Sequence, residues 1–186
     1  MILPKLFAGL RVVRLNLRSL ALRTYLRLAF PGITCHGSVR FGRGTTVQAF
    51  DGGTIILGAG VFVHDGACLI ASGGRVVVGE RVAVGRGSVV VACAAIELGA
   101  GTLIAEYVTI RDQDHVHGGA ARLDDQGLVT EPVTIGEDVW LGAKVSVTKG
   151  VTIAARSVIG ANAVVTRSLG ERGVYGGVPA KLLRKG

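Results

Sequence analysis

The sequence of 186 residues predicts a parallel β-helix, a triangular prism of short strands, on three observations. A large or branched side chain returns every six residues from Ile33 to Leu169. The breaks in that beat fall only after every third hexad. The composition is rich in glycine (29 residues) and poor in aromatics (5%), which suits a chain that turns every few residues around small branched side chains. The same composition argues against a helical bundle or an ordinary sandwich. With 49% hydrophobic residues, the chain can bury one sizeable core, so one domain with an appendage is expected.

The appendage is residues 1–32. Leu3, Leu6, Leu10, Val13, Leu17 and Leu20 recur at helical steps, and Arg11, Arg14 and Arg18 share a second face. Arg23 and Arg27 point elsewhere on a continuous helix, which predicts a break near Ser19 or a second short helix. Pro31-Gly32 ends the segment. The net charge of +8 belongs to the N-terminal end, because eight basic residues, six of them in this segment, precede the first acid, Asp51, and the remaining 13 balance the 13 acidic ones. Two roles stay open for this basic amphipathic segment: packing on the main domain or a neighbouring subunit, and peripheral contact of residues 1–30 with an anionic membrane surface. Arginines recur too often for a bilayer span or a signal peptide. Nucleic acid is not expected, since no aromatic platform accompanies the arginines.

Residues 33–170 carry the beat. Its first places are Val39, Thr45, Asp51, Leu57, Val63, Leu69, Val78, Val84, Val90, Leu98, Ile104 and Ile110. After a gap they continue at Ile135, Leu141, Val147, Ile153, Ile159 and Val165. Thr45 and Asp51 fit poorly, so an irregular first coil is expected. Three residues are inserted before Val78, two before Leu98 and nineteen before Ile135, so triplets of 18 residues stay intact. Each triplet reads as one turn, and six turns at about 4.8 Å stack to roughly 29 Å. First-place side chains are expected to point inward, each burial contributing roughly 1.5–3 kcal/mol. Small residues at the fifth place fill the narrow interior, and glycine at the second (Gly58, Gly79, Gly85, Gly99, Gly136, Gly142, Gly160) is expected to relax the corner backbone. The nineteen-residue excursion, an extended loop over 116–134, opens on Asp114, His115 and His117 and is where chemistry is expected. Residues 171–186 form a basic C-terminal tail or short helix.

The hexads from Val39 to Leu169, the run IGEDVWLGAKVSVTKGVTIAARSVIGANAVVTRSL and the ending GGVPAKLLRKG resemble the hexapeptide-repeat acyltransferases. The DxDH-loop-IGxxVWxG arrangement is most similar to the sugar and polysaccharide O-acetyltransferases, maltose and galactoside enzymes included. The resemblance implies an all-β, left-handed parallel β-helix of about six coils and a homotrimer with active sites in the clefts between prisms. It implies acetyl-CoA as co-substrate and a sugar or glycan acceptor, lipid-linked where the basic N-terminus points to cell-surface polysaccharide pathways.

Acetyl transfer to a hydroxyl needs a base, and imidazole titrates in the right range. The resemblance places that base at His115, with His117 the alternative. Asp112 or Asp114 then orients the ring, contacts the acceptor or is a solvated acid. For the coenzyme the resemblance implies Trp140 beside the thioester arm and Ala143 and Ala161 through backbone contacts. It adds Thr166 and Arg167 on the coenzyme, and Lys181 and Arg184 on its phosphates. No residue is placed to form an acyl-enzyme, so a direct ternary complex is expected. No metal is expected: the three cysteines form no CxxC pair, and of four histidines only His115 and His117 lie close together, whereas a zinc hydratase on this fold needs three. His64 reads as an outward surface residue. The cysteines suit a reducing cytosol, so the chain is expected to be cytoplasmic, on the inner face of the membrane if the helix docks there. Transfer to an amino or non-sugar acceptor, and a non-catalytic structural trimer, are the competing readings.

Overall fold

The computed structural model describes residues 3–186, with side chains from residue 12 onward. Three parallel sheets form the faces of the prism. The first stacks Ile33–Cys35, Thr54–Leu57, Arg75–Val78, Ala95–Leu98, Val133–Ile135 and Thr152–Ile153. The second stacks Arg40–Phe41, Phe62–Val63, Ala83–Val84, Leu103–Ile104, Trp140–Leu141, Val158–Ile159 and Gly173–Gly176, and ends on Lys181–Lys185. The third stacks Thr46–Phe50, Cys68–Ser72, Val89–Ala92, Thr109–Arg111, Ser146–Val147 and Val164–Val165. Successive strands alternate among the three faces, which is a β-helix of six turns.

The inward ladders are those the beat predicts. Leu57, Val78, Leu98, Ile135 and Ile153 stack with no more than 2% exposure, and of the eighteen predicted first-place residues only Thr45 and Asp51 are not buried. Those two exceptions reveal a phase error in the first coil. The strand register pairs Cys35 with Leu57, Phe41 with Val63 and Val47 with Leu69. The first coil is therefore regular, with Cys35, Phe41 and Val47 at its first places, and Val39, Thr45 and Asp51 are fifth-place residues. Val39 misled because the interior is so narrow that both places face it. The offset is absorbed between Val47 and Leu57, where four residues are inserted after a third hexad, on the edge that carries every other insertion. Asp51, at φ 53°, lies just before that insertion.

Six of the seven second-place glycines, all but Gly160, serve close approach and not corner relaxation. None of them has a positive φ. A Cβ on Gly142 would lie 2.7 Å from the Ala161 nitrogen, and one on Gly79 2.7 Å from the Ala100 nitrogen, so each coil rests directly on the backbone of the next. The left-handed conformation is taken two residues later, at the fourth place, by residues such as Gly101, Tyr107 and Lys144.

One unbroken helix, Leu3–Ala29, precedes the prism. The expected break at Ser19 does not occur. Ser19 is buried, its hydroxyl donates to the Leu15 carbonyl at 2.7 Å and accepts the Phe41 N–H at 2.9 Å. The helix is thus fastened across the open end of the first coil, with Leu22 and Leu26 packed on the core. The predicted apolar stripe is a different face: Val13, Leu17 and Leu20 are more than half exposed. The side chains of Leu3, Leu6, Leu10 and Arg11 lie outside the described residues. At the other end, Lys181–Lys185 is a strand antiparallel to Gly173–Gly176, where a tail or helix was expected. The outer ladder has free peptide groups that a strand satisfies and a helix would not.

Candidate active site

Past Thr109–Arg111 the chain does not complete its hexad on the prism. Asp112 turns inward and is fully buried, its two carboxylate oxygens accepting the N–H groups of Cys93 at 2.8 Å and Ala94 at 2.7 Å. These are the two peptide groups left over where the preceding coil carries its own insertion. Asp112 is therefore a structural clamp, and the expectation that it orients a histidine is overturned by its orientation. The chain then leaves as a two-stranded arm, Gln113–His115 antiparallel to Leu128–Thr130. His115 pairs with Leu128 and Asp114 with Val129. The arm is tied down by the Glu131 N–H on the Asp112 carbonyl at 2.9 Å and by the Lys149–Glu131 ion pair at 2.6 Å.

His115, His117 and Asp114 are all exposed, and among the described residues none of their side chains makes a hydrogen bond. His115 was expected on the last regular hexad. It stands instead on the root of the arm, three residues beyond the buried anchor. The negative charge of Asp114 is felt at Lys149, which is held above its ordinary value first by its hydrogen bond to Glu131. Lys149 was not singled out from the sequence; a lone lysine in a hexad gives no signal until the fold stacks it against the arm.

The other predicted residues divide between two edges of the prism. Thr166 and Arg167 follow the last strand of the third sheet, on the edge from which the arm departs and two coils beyond it. Both are exposed. Trp140, 52% exposed, lies on the outer face of the second sheet between Leu103 and Val158. Ala143 and Ala161 stack at the corner just after it, the Asn162 N–H bonding the Ala143 carbonyl at 2.9 Å. Among the described residues the N–H groups of Ala143 and Ala161 have no backbone acceptor, so they are available to an external carbonyl. Lys181 and Arg184 are exposed on the terminal strand of that same sheet, without an ion pair among the described residues. The third sheet separates the two groups. Six extended residues run from Tyr107 at one corner to Gln113 at the other, roughly 20 Å. On one chain His115, Thr166 and Arg167 share one edge, and Trp140, Ala143, Ala161, Lys181 and Arg184 lie on the second sheet and its following corner. The chain does not bring the two sets together.

His64 departs from its expected surface role. It is half-buried, stacked on Phe62 with ring centroids 3.9 Å apart, and opens into a cavity at the Ala143 corner. Burial pushes its imidazole below the ordinary value, outweighing the pull of Asp65. The three thiols, Cys35, Cys68 and Cys93, are each held above the ordinary value, first by burial. None is activated as a nucleophile. Among the described residues no three of His, Cys, Asp or Glu gather as metal ligands.

Residues 132–167 match the bacterial transferase hexapeptide family (six repeats). The chain is a hexapeptide-repeat β-helix. Over 160 residues this hexapeptide-repeat chain is 34% identical to a probable acetyltransferase, Rv3034c, of Mycobacterium tuberculosis, covering 85% of the chain and 53% of that protein. Over 101 residues it is 39% identical to WbbJ of Escherichia coli, a putative lipopolysaccharide biosynthesis O-acetyl transferase, covering 49% of the chain and 50% of that protein. The chain thus spans about half the length of these relatives. Among solved structures, AntD, an N-acyltransferase of Bacillus cereus crystallised with a dTDP-amino sugar and coenzyme A, superposes with a TM-score of 0.70 at 20% identity. That match covers 86% of this chain and 87% of AntD, and it bears out the fold. The resemblance to hexapeptide-repeat acyltransferases read from the sequence is borne out as well.

Proposed function

We propose that this chain is an acetyl-CoA-dependent O-acetyltransferase that acts on a hydroxyl of a sugar or cell-surface glycan precursor, with His115 as general base. The observation that carries the reading is the division just described. A base stands exposed and unpartnered at one edge, anchored through Asp112, while the coenzyme-type residues line the other edge. A symmetric homotrimer, as the resemblance implies, sets the first edge of one prism against the second edge of its neighbour and completes the site in the cleft. The relatives named as acetyltransferases support the same reaction class.

The residues fit the coenzyme. The free N–H groups of Ala143 and Ala161 suit the amides of a pantetheine arm, Trp140 offers an exposed apolar wall, and Lys181, Arg184 and Arg167 offer charge for phosphates. Thr166 adds a hydroxyl on the arm's edge. When bound, acetyl-CoA supplies the activated thioester carbonyl. His115 takes the proton of the acceptor hydroxyl as its oxygen bonds to that carbonyl carbon, holds it as imidazolium, and returns it to the departing sulfur. His117, two residues further along the arm, has no strand partner and lies further from the anchor. No side chain is consumed, which is a direct ternary-complex reaction.

The helix adds a second element. Its outer stripe, Val13, Leu17, Leu20 and Leu28, is exposed and flanked by Arg14 and Arg27, and no described helix is long and apolar enough to cross a membrane. An apolar stripe edged with arginine suits an anionic lipid surface, and on this reading the enzyme works beside a lipid-linked acceptor on the cytoplasmic face. Incubation with acetyl-CoA and a panel of sugars and lipid-linked glycans, read by mass gain of one acetyl group, tests the reaction. Hydrolysis or coenzyme binding without transfer to any hydroxyl would count against it.

A further inference from the structure

The corner between the second and third sheets carries an open cavity of about 650 Å³ that the proposed reaction has not yet used beyond Ala143. Four successive coils contribute to it: His64 from the second, Arg86 from the third, Glu106 and Tyr107 from the fourth, and Lys144 from the fifth. At 4.8 Å per coil these groups span roughly 14 Å, room for a saccharide of one or two rings with an anionic group. The volume lies within the range of small-molecule sites.

Five of the lining residues, His64, Arg86, Glu106, Tyr107 and Lys144, carry side chains that suit a polar ligand. Tyr107 holds φ 58°, the left-handed corner conformation that Gly87 and Gly101 take in neighbouring coils and that Arg81, Asp138 and Lys144 take as well. The Cδ1–Cε1 edge of its ring abuts Gly87, where an added Cβ would come 2.6 Å from the ring, and the residue remains 58% exposed. A fixed, exposed aromatic face beside hydroxyl-binding groups is a platform for a sugar ring. Arg86 and Lys144 line the same cavity, and among the described residues neither forms an ion pair, although Glu106 shares the space. His64 is braced by Phe62, which Arg40 caps from 4.8 Å. Two free cations against one carboxylate leave the cavity positive.

Resting on the acetyltransferase reading above, we propose that this cavity is the acceptor subsite and that the acceptor is an anionic saccharide. The sugar ring lies on Tyr107, its phosphate or carboxylate is held by Arg86 and Lys144, and His64 and Glu106 hydrogen-bond its hydroxyls. Ala143 is shared with the coenzyme row, so the acceptor lies next to the thioester end.

Binding to the full-length protein tests this without relying on turnover. Glucose 1-phosphate, glucuronate, glucose and inorganic phosphate are titrated by ligand-observed NMR, and acetyl-CoA separately by calorimetry. At least one of the two anionic sugars binds about tenfold more tightly than both glucose and phosphate, and which of the two is tighter identifies phosphate or carboxylate as the natural anion. Arg86→Gln and Lys144→Gln each weaken that sugar about fivefold or more, Tyr107→Ala weakens both sugars and glucose, and acetyl-CoA affinity stays unchanged in all three. Equal binding of anionic and neutral sugars, phosphate binding as well as the sugar phosphate, or wild-type affinity in Arg86→Gln and Lys144→Gln would overturn the proposal. Loss of acetyl-CoA binding by the wild-type protein would instead overturn the acetyltransferase reading, leaving the saccharide titrations interpretable.

Discussion

The carboxylate of Asp112 accepts the Cys93 N–H at 2.8 Å from a position with no solvent exposure, joining the root of the His115 arm to the coil beneath it. Asp112→Ala leaves two buried N–H groups without acceptors and is expected to destabilise the protein by about 3 kcal/mol in chemical denaturation. Asp112→Asn keeps one acceptor and is expected to lose about half as much. If Asp112 serves only as this clamp, both variants lose acetyl transfer through kcat while acetyl-CoA affinity is unchanged.

Ser19 performs the corresponding service for the helix. Its hydroxyl accepts the buried Phe41 N–H at 2.9 Å. Ser19→Ala is expected to reduce stability by about 1–3 kcal/mol and to make the helix the first segment cut in limited proteolysis. Ser19→Thr, which keeps the hydroxyl, is expected to restore most of the loss.

Two glycines distinguish close approach from simple flexibility. Gly142→Ala drives a Cβ to 2.7 Å from the Ala161 nitrogen and 2.9 Å from the Ile159 carbonyl, backbone that cannot yield, and is expected to lower stability by at least about 2 kcal/mol. Gly37 has nothing within 4 Å of the same position, so Gly37→Ala is expected to fall within about 0.5 kcal/mol of wild type. Similar melting temperatures for the two would contradict the account of the coil spacing.

The pH dependence follows from two groups of opposite sign. His64 is held below its ordinary value of 6.5, so the folded state binds fewer protons than the unfolded one in that range. Its contribution to stability is present above pH 6.5 and declines as pH falls through its lowered value, and His64→Gln should flatten that decline. Cys35, under the helix, is pushed up to about 11 from 9.0. Its contribution is full below pH 9 and is lost as pH rises toward 11, and Cys35→Ala should remove that part of the slope. At pH 8 Cys35 is also expected to react with a disulfide reagent more slowly than Cys93.

Membrane docking is tested in the intact chain, because deleting the helix would expose Phe41. Leu17→Glu with Leu20→Glu is expected to abolish flotation with vesicles containing phosphatidylglycerol and to leave stability unchanged, since both side chains are more than half exposed. Equal flotation of variant and wild type would assign the stripe to another partner.

The coils were legible because inward ladders impose a hydrophobic period that a single chain records plainly, from Leu57 to Val165. The first coil was read two hexad places out of phase because Val39 is as branched and as buried as a true first-place residue, and only the strand register separates them. His115 could be singled out by its break in the beat and by the family resemblance. Asp112 could not be told from Asp114, since two acids at alternate positions differ only in which one turns inward. His64, Arg86, Tyr107 and Lys144 were illegible as a group, being spread over 81 positions and gathered only by the stacking of coils.

The central claim is that His115 is the base. The direct measurement is the rate of acetyl transfer by His115→Ala beside His117→Ala, with acetyl-CoA affinity measured on both. His115→Ala is expected to lose about 100-fold or more in kcat with unchanged coenzyme affinity, and His117→Ala to keep near wild-type turnover. Full turnover by His115→Ala would contradict that claim.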